Sequence, residues 1–190
     1  MRQNAQLTLL ATAAMLFVSG CASVPPPHDP AHPAVMLVDS LYFTNAMDGK
    51  PDVQRTVRAL APAAVDVAYF PLAQVKECEK EGAPCSWGVL NAKRSVEAPR
   101  YLPNGISLKV DVLVDIDRKQ SVNRPDYAMS MAIPSDIPAL TSKQTIKQDM
   151  VVEYGKPTRV ELKNGIVYQL CAMRLDAARQ PIDQCNITDY

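Results

Sequence analysis

Ile106-Ser107-Leu108-Lys109-Val110-Asp111-Val112-Leu113-Val114-Asp115-Ile116-Asp117 decides the fold class. Every even position in this stretch is aliphatic. The odd positions carry Ser107, Lys109, Asp111, Asp115 and Asp117, with Leu113 the one exception. Side chains alternate between the two faces of a strand, so this period of two places an apolar face on a core and a polar face in water. No helical period fits the same residues. The stretch is therefore a half-buried antiparallel strand. Asn104-Gly105, directly before it, is a turn signal that supplies the hairpin entry.

The pattern continues downstream. Tyr127 to Ile133 is a short strand bounded by Pro125 and Pro134, and Ile146 to Tyr154 is another. Gly155-Lys156-Pro157 turns the chain into Thr158 to Leu162. Asn164-Gly165 then forms a type I′ hairpin into Ile166 to Leu175, which gives a C-terminal meander. Upstream, Val35 to Thr44 is β-rich and apolar on both faces, as a central strand requires. Asp48-Gly49 marks a turn. Asp52 is placed to cap a short helix through Leu60, with Val53, Val57 and Leu60 on one face; a strand is the competing reading. Val65 to Phe70 reads as a strand stopped by Pro71, and Gly88 as the site of a bulge. Strands at this spacing with almost no helix predict an all-β fold, an antiparallel β-sandwich of immunoglobulin-like or transthyretin-like type, with room for one short helix.

Four cysteines follow residue 33: Cys78, Cys85, Cys171 and Cys185. An even number in an exported chain points to disulfides, and four cysteines allow three connectivities. Nearest-neighbour pairing, Cys78–Cys85 and Cys171–Cys185, is expected because the intervening stretches are polar or turn-forming. Residues 76–86 would then be a disulfide-closed loop, and Cys185 would pin a polar tail. Trp87, the lone tryptophan, follows the first pair directly. It is a candidate contact residue, weighed against core packing beside a disulfide.

The N-terminus carries an address. Arg2 gives a positive n-region, and Leu7 to Val18 is an apolar run too short to span a bilayer as a helix. Val18-Ser19-Gly20-Cys21 resembles the lipobox of bacterial lipoproteins, with Val18 where Leu is usual. The resemblance covers residues 1–21 alone. It implies that 1–20 is a signal peptide and that Cys21 becomes the acylated first residue of the mature chain. Ala22, rather than Asp, at the next position implies transfer to the outer membrane, facing the periplasm. Stable anchoring needs more than one acyl chain, as such lipidation supplies. Residues 21–33 include Pro25, Pro26, Pro27, Pro30 and Pro33 and read as an extended tether. Residues 34–190 then form a single domain.

Composition removes several functions. Without residues 1–20 the chain has 19 basic against 20 acidic residues, so no basic field exists for nucleic acid. His28 and His32 are the only histidines and lie in the tether, so no histidine of the folded domain can act as a general base. There is no Gly-x-Ser-x-Gly elbow, no His-Glu-x-x-His and no Ser-x-x-Lys at Ser40 or Ser142. Asp111, Asp115 and Asp117 share a strand face, but residues two apart are ~7 Å apart and do not build a calcium cage. Met129 and Met131 share another face, and Met150 and Met173 are conceivable partners for a copper(I) site. Core packing is the plainer role for methionine. The expectation is a non-catalytic protein without metal or cofactor. It would be a lipid-anchored binding or assembly factor that meets an envelope protein partner. The alternative is a periplasmic carrier of a small ligand or of copper.

Overall fold

The alternation at 106–117 forms the middle of one of two packed antiparallel sheets in the computed structural model, which describes residues 33–61, 65–79, 84–124 and 127–186. The first sheet runs β10 (Thr158–Glu161), β11 (Val167–Leu175), β1 (Ala34–Thr44), β2 (Pro51–Ala59). The second runs β3 (Asp66–Tyr69), β5 (Ser86–Leu102), β6 (Gly105–Asp117), β9 (Ser142–Glu153). β4 (Ala73–Glu77) extends the β3 side by pairing the start of β5. A separate hairpin joins β7 (Lys119–Arg124) and β8 (Tyr127–Ala132). The described residues contain no helix. The architecture is a β-sandwich.

The period of two in β6 is realised as read. Ile106, Leu108, Val110, Val112, Val114 and Ile116 are all buried and face the first sheet. Leu37, Leu41 and Phe43 of β1 and Leu170 and Ala172 of β11 meet them from the other side. β1 is central, flanked by β11 and β2, and is buried on both faces along most of its length. The hairpin at Asn164-Gly165 has positive φ at both residues (61° and 66°), as a type I′ turn demands. Gly105 is required for a different reason: a Cβ there would meet the Val152 carbonyl oxygen at 2.4 Å.

Three readings are corrected. Residues 52–60 are not helical; Pro51–Ala59 is an edge strand in register with β1, from Thr44↔Pro51 to Met36↔Ala59. The turn between them closes with Asn45 N–H donating to the Lys50 carbonyl (2.9 Å), so the chain doubles straight back onto β1. Asp52 accepts from its own Val53 N–H (2.8 Å) and from Asn45 (3.1 Å) and caps nothing. Tertiary pairing outweighs a helical spacing of only three apolar residues. Second, Gly88 sits in regular pairing with Val75. Its missing Cβ instead admits Ile116 and the Leu140 carbonyl, which would lie 2.3 and 2.6 Å away. The bulge is at Glu97/Arg100, where the register against β6 slips by one residue and Pro99, lacking a donor, is accommodated. Third, the last three strands are not one meander. The Gly155 turn carries the chain from β9 in the second sheet to β10 in the first.

Both expected disulfides are present, Cys78–Cys85 and Cys171–Cys185. The second holds the segment after β11 along that strand, together with Arg174, whose guanidinium donates to Asp183 at 2.8 and 2.9 Å.

Candidate interaction surface

The inner face of β5 reads Leu90, Ala92, Arg94, Val96, and Arg94 is fully buried between the sheets. Its Nε donates to Asp39 Oδ1 of β1 (2.8 Å), and Nη2 donates to the other oxygen of the same carboxylate. Nη1 donates to Asp66 Oδ2 of β3 (2.5 Å) and to the Asp66 carbonyl (3.1 Å). Tyr168 on β11 donates its hydroxyl to Asp39 Oδ1 (2.6 Å), Thr56 on β2 donates to Oδ2 (3.3 Å), and Arg58 donates to Asp66 (2.9 Å). Two arginines thus meet two aspartates, and the group ties five strands across both sheets. Burial disfavours the Arg94 charge, but Asp39 outweighs it and holds the guanidinium charged beyond the ordinary arginine value. Burial also pushes Asp66 up, but the hydrogen bonds from Arg94 and Arg58 outweigh it and lower its carboxyl below the ordinary value. Burial, then the Asp39 carboxylate beside it, pushes the Tyr168 phenol well up, so it donates as a neutral hydroxyl. With Arg94 and Asp39 sealed from solvent, this network fixes how the sheets sit rather than meeting a ligand.

On the opposite face of the second sheet, the β7–β8 hairpin lies over the start of β5. A small cluster of Leu72, Val89 and Ile133, with Trp87, Val122 and Met131 against it, holds the hairpin down. Val89 is completely buried because of this cover. Gln74 donates to the Ala132 carbonyl (3.3 Å), and Arg118 donates to the carbonyls of Pro134 (2.7 Å) and Ile137 (3.0 Å). At the far end, the Arg124 guanidinium lies 3.8 Å over the ring of Tyr69 and 5.6 Å from that of Tyr127. Tyr127 donates its hydroxyl to the Met129 sulfur (2.9 Å). Tyr69 and Met129 are 44% and 40% exposed, so this edge offers aromatic, guanidinium and thioether groups together to solvent.

Trp87 is half-buried on β5 rather than in a loop. It bonds through its backbone to Pro138 and Leu140, and its ring packs under the hairpin. It supports the candidate surface from beneath. The methionines are not gathered: Met150 is in the main core, Met131 is under the hairpin, Met129 is exposed, and Met173 is in the other sheet. Asp111 and Asp115 pair with Lys147 (3.1 Å) and Lys143 (3.9 Å) on the solvent face of β6 and β9. Among the described residues no three or more His, Cys, Asp or Glu side chains are placed to hold a metal. Two open clefts, of about 280 and 400 Å³, are lined largely by charged groups, Lys156, Arg174 and Asp183 in one and Arg100, Lys109 and Asp149 in the other. Cys21, His28 and His32 lie outside the described residues.

Sequence reasoning read Val65 to Phe70 and Tyr127 to Ile133 as strands but missed Tyr69, Arg124 and Tyr127 as a group, because Tyr69 is far from the other two in the chain and no local pattern marks their meeting. A guanidinium one residue before Pro125, with Tyr127 two residues beyond it, was the only local signal. Comparison with protein-family models, with curated protein sequences and with solved structures gave no match, so the surface is read from its own geometry.

Proposed function

We propose that the chain is a lipid-anchored, periplasm-facing accessory or assembly factor of an outer-membrane protein complex, non-catalytic, and that the β7–β8 arm is its contact surface. The arm is the observation that carries this reading. A two-stranded hairpin is marginal alone, and here a dedicated secondary cluster keeps it in place while Tyr69, Arg124 and Met129 stay at its open edge. Tyrosine and arginine are the residue types that dominate interface energetics. The lipobox-like Val18-Ser19-Gly20-Cys21 supports the anchored address.

The test is in-cell crosslinking and pull-down of the full-length chain beside Arg124→Ala and Cys21→Ser variants. A specific envelope protein recovered with the native chain, and lost or strongly reduced with each variant, is the expected result. Equal recovery with Arg124→Ala removes the arm as the contact, and unaltered fractionation of Cys21→Ser with membranes removes the anchor.

A further inference from the structure

β9 is the outermost strand of the second sheet, and among the described residues its free edge pairs with no strand. It is long and regular: twelve consecutive pairs with β6 run from Gly105↔Glu153 to Ile116↔Ser142 without a bulge. It contains no proline. Of the devices that blunt such edges, β9 carries only lysines, Lys143 and Lys147. Val151, at 60% exposure, stands on its solvent face.

The order of charges on that face is the decisive feature. Its outward residues are Lys143, Thr145, Lys147, Asp149, Val151 and Glu153. Facing residues of an antiparallel pair lie on the same face of the sheet. A two-fold axis through Gln148 therefore sets Lys147 opposite Asp149 of a second copy, Thr145 opposite Val151, and Lys143 opposite Glu153, each twice. The alternation extends into β6, where Lys109 faces Asp149 and Asp111 faces Lys147. One row across the joined sheets then reads Lys109, Asp149, then Lys147 and Asp111 of the second copy, alternating in sign throughout. Moving the axis to residue 147 places two lysines face to face, and moving it to residue 149 places two aspartates face to face. Like charges directly opposite destabilise a pair, while axes at residues 146 and 150 keep only Lys143 opposite Asp149 or Lys147 opposite Glu153, so the Gln148 register matches the most opposite charges.

We propose that the chain forms a two-fold dimer with a second copy of itself through antiparallel β9–β9 pairing centred on Gln148, which makes one sheet continuous across both subunits. Such an interface is isologous and closes on itself, so it stops at two copies.

The test uses the full-length chain in detergent, with sedimentation to read mass. The native chain is expected to be a concentration-dependent dimer. Lys147→Glu sets a carboxylate against Asp149, and Asp149→Lys sets an ammonium against Lys147; each is expected to weaken association by about tenfold or more. Each variant also meets a like charge on its own β6, so local destabilisation alone predicts no rescue. Co-expressed under different tags, however, the two variants match at both positions, and each is expected to pull down the other as a heterodimer. Independently, Gln148→Cys on the axis is expected to crosslink two copies under oxidation. Gln144→Cys, whose copies would lie ~27 Å apart, is expected not to. A native chain that stays monomeric, single variants that dimerise like it, a co-expressed pair that does not associate, or equal crosslinking at 144 and 148 each overturns the proposal.

Discussion

Replacing Arg94 by Met removes four hydrogen bonds from the space between the sheets and leaves Asp39 buried beside only Tyr168 and Thr56. Breaking one side of a buried ion pair costs about 3–5 kcal/mol. Domains of this kind have about 5–15 kcal/mol in all, so the variant is expected to fold but to lose much of its margin. With a urea dependence of about 2 kcal/mol per molar, the unfolding midpoint should fall by about 2 M, read by circular dichroism of the sheet. Adding Asp39→Asn to Arg94→Met removes the stranded charge and should recover part of the loss, a signature that a simple packing defect lacks. A penalty under about 1 kcal/mol, or no recovery in the double variant, refutes the assignment of Arg94 as the charge that holds Asp39.

Asp66 gives the native protein an acid limit. Its folded carboxyl is held below the ordinary value by the hydrogen bonds from Arg94 and Arg58, so its contribution is complete above that ordinary value and is lost as pH falls through the folded one. Urea midpoints measured from pH 5 down to pH 2 should fall more steeply for the native chain than for Asp66→Asn, and parallel slopes would contradict the network. Gly88→Ala should destabilise by about 1–3 kcal/mol, because its Cβ would meet a backbone oxygen that cannot rotate away. Hydrogen exchange at the Trp87 and Leu140 amides, whose bonds join β5 to residues 138–140, should rise in that variant; unchanged protection would show that the segment tolerates the shift.

What was legible in the sequence was what a period of two or a turn residue encodes. β6 alternates cleanly because one face is core and one is solvent, and Asn164-Gly165 is readable because two positive φ values in succession admit few residues. β1 was recognised from apolarity on both faces, yet that reading passed over Asp39, the one charge in its inner row. The same blindness hid Arg94: in Ala92-Lys93-Arg94-Ser95-Val96 a buried guanidinium looks like a second surface charge beside Lys93. Only the partners, 28 and 55 residues away, turn it inward. β2 and β7 failed for another reason. An edge strand and a hairpin lying on a sheet bury little, so their composition follows solvent, and pairing rather than pattern makes them strands.

The candidate arm is hidden in the same way as Arg94, since Tyr69 and Arg124 meet only across 55 residues of chain. The edge of β9 is not. Its outward charges run from two lysines to two acids on a strand whose apolar face is weak, so their order is free of core demands. The core asks only that Met150 and Val152 point inward; it does not ask for Lys at 143 and 147 with Asp at 149 and Glu at 153. β6 accounts for part of that order, since Asp111 and Asp115 face the lysines and Lys109 faces Asp149. Glu153 faces Gly105 in the ladder and takes its intrachain charge partner, Lys156, from the turn that follows the strand. Across the Gln148 axis it meets Lys143 as well, so a second copy gives the end of the row an opposite charge from within the sheet, as β6 does for Lys143, Lys147 and Asp149.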